Sequence, residues 1–189
     1  MKQKMMIRED VETVMKRFEI QFLNGTRGCI FREDVPELIV AGQKIGPFKA
    51  GITVTLQNWI IEKLIAHDLA DIVPNDAFES LRRLQNLHHA EENHPHKLQT
   101  FPEFLYSALN RKMVRLQGDK TGLDPRRYDE IERVQRMIPV LVETRLSKII
   151  RVAKSGAQQD KRKQMANEER WLCDELSNLL SAWRETVRE

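Results

Sequence analysis

The stretch IGPFKAGITVTLQNWIIEKLIAHDLADIVP, residues 45–74, sets the architecture of the chain. It opens inside GQKIGPFKAG (42–51), where three glycines and a proline in ten residues read as a forced loop. ITVTL (52–56) then alternates with the period of a strand, and Thr55 stands where it can cap the helix LQNWIIEKLIAH. LADIV (69–73) returns as a strand before Pro74 stops it. A loop, a strand, one short helix and another strand within thirty residues describe a small β-rich module.

Upstream, FEIQFLNGTRGCIF (18–31) predicts two strands about an Asn24-Gly25 turn, since both residues tolerate the positive φ of a tight hairpin. ELIVAG (37–42) adds a third short strand. Before these, Ile7, Val11, Val14 and Phe18 recur at helical spacing and predict a short N-terminal helix. Gly46, Pro47 and Gly51 shape the loop, while Phe48 and Trp59 supply large apolar anchors for a module of fewer than about 60 residues, which must lean on a neighbour to be stable.

Downstream of Pro74 the helical period takes over. NDAFESLRRLQNLHHAEE places Asp76 and Glu79 at capping-box spacing ahead of a stripe of Phe78, Leu81, Leu84 and Leu87/His88. TFPEFLYSALNRKMVRL repeats the device, with Thr100 and Glu103 around Pro102. After GDKTGLDPRR, Asp124 caps and Pro125 opens a long helix reaching about Gly156, with a kink expected at Pro139. A last helix, Lys161 to Val187, carries Met165, Leu172, Leu176, Leu179, Trp183 and Val187 on one stripe. The expected organisation is an N-terminal helix (1–17), a β-rich domain (18–75) and a helical domain (76–189), hence an α+β fold that is mainly α.

Composition narrows the function. Charged residues make up 31% and hydrophobic ones 41%, the balance of a soluble globular chain, and the longest apolar runs, such as MIPVLV (137–142), are a third of a membrane crossing. The charged N-terminus lacks a secretory core, and Cys29 and Cys173, far apart and without neighbours, fit a reduced intracellular protein. No nucleophile elbow, P-loop or dinucleotide fingerprint occurs, so neither an enzyme nor a cofactor is expected.

HHAEENHPH (88–96) invites a metal site, because His88 and Glu92 share a helical face. Pro95 argues for a plainer reading, in which His88 continues the apolar stripe, His89, Glu91 and Glu92 are solvated, and NHPH is a helix stop and linker, so no metal is assigned. The basic bias lies later: seven basic residues against one acid between Arg145 and Lys163. Arg145, Lys148, Arg151 and Lys154 step by three along one helix, a ribbon that could meet a phosphate backbone or a partner, without aromatics to stack bases.

The GPF loop followed by a strand and by Trp59 and Leu64 on a helix resembles the small domain of GINS replication factors. LQTFPEFLYSAL (98–109) and VETRLSKIIRVA (142–153), with Thr144, Arg145, Leu146, Lys148 and Ile149, are similar to the family's helices. The domain order resembles the subunit type with its β-domain first, the archaeal counterpart of the second and third eukaryotic subunits. The resemblance implies a non-enzymatic subunit, cytoplasmic and chromosomal (nuclear if eukaryotic), that forms a heterotetramer with a sister GINS subunit and joins the MCM helicase and a RecJ-like partner. Leu172, Leu176, Leu179 and Trp183 are its candidate interface. The rival reading is a helical nucleic-acid-binding protein working through the ribbon 145–163.

Overall fold

The computed structural model describes residues 10–118 and 125–188. Five short strands and one helix form the N-terminal unit, and helices form the rest. β1 (Thr26–Phe31) is the centre of a three-stranded antiparallel sheet, flanked by β4 (Thr53–Gln57) and β5 (Ala70–Ile72), with Cys29 opposite both Val54 and Ile72. Helix α2 (Asn58–Ala66) covers one face, burying Ile60, Ile61 and Leu64 against Cys29, Phe31 and Ala70. The strand and helix order of residues 52–73 therefore matches expectation. Thr55, however, lies within β4 opposite Gly28, and Gln57 precedes the helix without a side-chain cap.

The hairpin is displaced from where the Asn-Gly signal puts it. Residues 18–24 continue α1 (Val11–Asn24), because Val14, Phe18 and Phe22 extend one helical stripe, with Val14 and Phe22 buried. Gly25 ends the helix at φ −67°, not in a left-handed turn. The expected domain boundary at residue 18 thus falls inside a helix. The tight turn lies instead at Ala41 and Gly42, with φ of 50° and 80°, joining β2 (Leu38–Val40) to β3 (Gln43–Ile45), a strand inside the expected loop. Past β3, Gly46 holds φ 93° across a cis Gly46–Pro47 peptide, with space so tight that an added Cβ would meet the Pro36 carbonyl at 3.2 Å. Phe48 stacks on Phe31 (centroids 4.3 Å apart), the Gly51 N–H donates to the Phe31 carbonyl at 2.8 Å, and Trp59 packs against the same core.

The helical unit comprises α3 (Leu81–Asn93), α4 (Leu105–Gly118), α5 (Pro125–Ser155), a short α6 (Gln158–Lys161) with a following 3-10 turn (Arg162–Gln164), and α7 (Asn167–Arg188). α5 is the spine, packed against α3, α4 and α7, and it continues on both sides of Pro139. The Asp124 cap and the segment before it lie outside the described residues, as does Ile7. Two cores follow one another along α5, the first around Leu84, Leu105, Val134 and Leu141 and the second around Ile149, Met165 and Cys173. Among the described residues no helix is long and apolar enough to cross a membrane.

Asp76 and Glu79 do not cap α3, which starts after Ser80; they join the two units instead. Asp76 Oδ2 accepts the Gly28 N–H at 2.7 Å, so close that a Cβ on Gly28 would lie 2.8 Å from that oxygen. Glu79 takes both carboxylate oxygens to Arg27 Nη1, at 2.9 and 2.8 Å. Arg27 Nε donates to Asn58 Oδ1 at 2.5 Å, and the guanidinium stands 5.0 and 5.2 Å from the ring centroids of Phe22 and Phe78, which meet each other edge to face. A second clamp runs from Arg111 on α4 to Glu62 on α2 (2.6 Å) and Glu19 on α1 (3.1 Å). With Arg27 and Glu79 both buried, Glu79→Ala strands a desolvated cation and is expected to cost about 3–5 kcal/mol in urea unfolding. Arg27→Met together with Glu79→Met should cost less than the sum of the single changes.

Candidate functional site

Arg145 and Lys148 form a dense polar cluster among the described residues, and it is interior. They belong to the turn of α5 that follows Val134 and Leu141 and precedes Ile149, so helical spacing aims them into the bundle. Arg145 is 0% exposed and Lys148 3%. Their anions are Glu91, at 0%, and Glu169, at 2%, on α3 and α7.

Every donor of Arg145 is used. Nε and Nη2 reach the two oxygens of Glu169 at 2.9 and 2.6 Å, Nη1 reaches Glu91 Oε1 at 2.7 Å and the Gln99 carbonyl at 2.8 Å, and Nη2 adds the Gln164 carbonyl at 3.1 Å. Phe101 covers the guanidinium, its ring centroid 3.8 Å from Cζ. Lys148 Nζ binds Glu91 Oε2 and collects the carbonyls of Glu91 (2.9 Å), His94 (2.8 Å) and Lys97 (3.0 Å). Glu169 also accepts the Tyr106 hydroxyl at 2.6 Å and the Ala166 N–H at 3.0 Å, and Glu91 accepts the Gln99 N–H at 3.0 Å. Burial works against the Arg145 charge, but the bonds to Glu169 and the charges of Glu169 and Glu91 prevail and hold its pKa above the usual guanidinium value. Burial and the Glu169 carboxylate push Tyr106 well above the ordinary phenol range, so its proton stays on the hydroxyl.

This corrects two expectations. Glu91 is not solvated, and the basic ribbon is not a surface: two of its four members are inside. Arg151 and Lys154 are exposed, and Arg151 is committed to the Pro95 carbonyl at 2.5 Å and stands 3.1 Å from His96 Nδ1. The missed signal was in the periodicity, since Glu91 follows Leu84 by seven and Arg145 follows Leu141 by four. A charge standing on an apolar stripe predicts a buried pair.

The histidine cluster is only partly brought together. His88, His89 and Glu92 carry ligand atoms within 4.8 Å of one another, but on a helix face where His89 and Glu92 are open to solvent. His94 folds its Nδ1 to the Ala90 carbonyl at 3.1 Å and His96 faces Arg151, so the four histidines do not converge. NHPH is a helix stop and linker, wrapped around Lys148. On α7, Leu176 packs against the second core and Leu172 lines a groove beside it, whereas Leu179 is 55% and Trp183 63% exposed.

Residues 78–188, more than half of the chain, match the family model of the GINS complex protein helical bundle domain (Sld5). The chain belongs to the GINS complex family. Comparison with curated proteins gives no match. The matched region runs from just before α3 to the end of α7, so the Arg145 network lies wholly within the GINS domain and is the fastening of its bundle. The β-rich unit precedes it.

Breaking that fastening is expected to be severe. Arg145→Met leaves two buried carboxylates facing one ammonium and should lower stability by about 3–5 kcal/mol. Arg145→Lys, with three donors on a compact head in place of five in a fork, should still cost about 2 kcal/mol or more, both read by thermal unfolding. Arg151→Glu with Lys154→Glu should leave the melting temperature within about 2 °C of the parent.

Proposed function

We propose that this chain is a non-catalytic scaffold subunit of the GINS DNA replication complex, of the type with its β-domain before its helical domain, the archaeal counterpart of the second and third eukaryotic subunits. It pairs with a sister GINS subunit in a heterotetramer built on the helical domains. The assembly then joins the MCM helicase and a RecJ-like partner at the chromosome, and catalysis of unwinding stays with the helicase.

The observation that carries the assembly reading is the divided stripe of α7. Leu172, Leu176, Leu179 and Trp183 recur at spacings of four, three and four, so they share one helical face. The face starts in the bundle and continues past it, leaving Leu179 and Trp183 largely bare. Val187, 65% exposed, extends it further. Large apolar groups at helical spacing on the free end of a helix suit a second helix laid along it. Domain order supports the subunit type, because the β-rich unit lies N-terminal to the matched GINS region.

Co-expression with the sister GINS subunit, followed by mass measurement in solution, tests the reading. A stable heteromeric complex is expected; a chain that stays monomeric beside its sister would overturn it. Leu179→Glu with Trp183→Glu should abolish that complex while changing the stability of the free chain by no more than about 0.5 kcal/mol per site, because both side chains are already solvated.

A further inference from the structure

Two adjoining hollows flank the start of α7. One, of about 360 Å³ between α1, α5 and α7, has an almost wholly apolar wall that includes Val11, Val142, Leu146, Trp171 and Leu172. The other, of about 350 Å³ between α1 and α4, carries three carboxylates, Glu12, Glu19 and Glu168, and one ammonium, Lys16. Met15, Tyr106 and Glu168 border both.

Two of the three acids already have cations. Lys16 pairs with Glu12 at 2.7 Å, and Arg111 with Glu19 at 3.1 Å. Glu168 has none. It is 3% exposed, and its Oε1 accepts the Ser107 N–H at 3.0 Å and the Ser107 hydroxyl at 2.7 Å. Oε2 is buried with no hydrogen-bond partner among the described residues. Tyr106 cannot supply one, since its proton is engaged by Glu169. A buried carboxylate oxygen without a donor is unfavourable, and burial raises the Glu168 carboxyl above its usual pKa although the Ser107 bonds oppose the rise.

We propose that the apolar groove receives a helix of a partner GINS subunit bearing one lysine or arginine, whose cationic end enters the acidic hollow and pairs with Glu168 Oε2. The inference rests on the assembly reading above and names the chemistry of the partner. Charge complementarity selects the occupant: an apolar helix alone would seal Glu168 into a drier site still unpaired, and an acidic segment or a phosphate backbone would set a second negative charge beside it, since the one ammonium of the hollow, Lys16, is engaged by Glu12. Met15, a flexible thioether on the border of both hollows, moves aside to admit the cation. The groove is also continuous with the candidate interface, because Leu172 belongs to both. From Leu172 to Trp183 the stripe runs about 17 Å at 1.5 Å per residue, the length of a three-turn helix.

The test uses the full chain co-expressed with its sister GINS subunits. Glu168→Gln keeps the size of the side chain and an acceptor for Ser107 but removes the charge. It should weaken assembly at least tenfold. Glu168→Lys should abolish assembly, and one Lys→Glu or Arg→Glu change on the partner should restore it. A dissociation constant for Glu168→Gln within twofold of the parent would overturn the proposal, as would the failure of every partner reversal. So would a free chain that is a dimer broken by Glu168→Gln, which would make a second copy the occupant. Deletion of residues 1–9 reads the remaining occupant: if it exposes the amides of 168–176 to hydrogen exchange in the free chain, the groove is filled from within and the proposal falls. A chain that joins no sister subunit fails differently, since it removes the assembly reading itself.

Discussion

The bundle depends on one guanidinium. Arg145 has no access to water, and its charge is tolerable only because five N–H groups find two carboxylates and two carbonyls beneath the Phe101 ring. Those acceptors come from α3, from the linker after it and from both sides of the turn into α7, so satisfying one side chain fixes the mutual position of four chain segments. Apolar packing around Leu141 and Ile149 supplies the area, but leucines and isoleucines accept many arrangements; a fork of directed donors accepts few. The geometry thus confers register on a bundle whose hydrophobic surfaces would otherwise slide.

The junction between the two units repeats the device on a smaller scale. Arg27 on β1 is held by Glu79 and Asn58 beside two phenylalanines, and Arg111 on α4 reaches across to α1 and α2. An N-terminal module with a three-stranded sheet and one covering helix has little core of its own. α1 compensates by packing against α2 on one side and against α4 and α7 on the other. The β-rich unit is therefore presented in a fixed attitude to the bundle, and α1 belongs to both.

Much of this was legible in the chain. The alternation of ITVTL, the helix with Trp59, the return strand before Pro74 and the long helix opening at Pro125 all follow from periodicity and punctuation. What periodicity could not rank was two competing local signals over residues 18–25, where the Asn-Gly pair outweighs the stripe of Val14, Phe18 and Phe22 in any local reading, and only packing against the bundle favours the stripe. Capping boxes misled for a related reason. Asp76 and Glu79 have capping spacing, but a buried arginine and a free backbone N–H on β1 bind carboxylates more strongly than a helix start does. The same competition hid the candidate site: Arg145 and Lys148 look like half of an electropositive face until their places on the apolar stripe are weighed against their charge.

Lys148 has a further consequence. The carbonyls of Glu91, His94 and Lys97 are gathered by an ammonium that lies more than fifty positions later in the chain. Pro95 can halt a helix by itself, and the Lys97 N–H closes a turn on the His94 carbonyl at 3.1 Å, but only Lys148 draws the three carbonyls to one point. The anchor of that turn is written in α5. During synthesis the ammonium that gathers these carbonyls arrives only when residue 148 has left the ribosome, so a fragment ending earlier keeps the local turn and lacks its anchor.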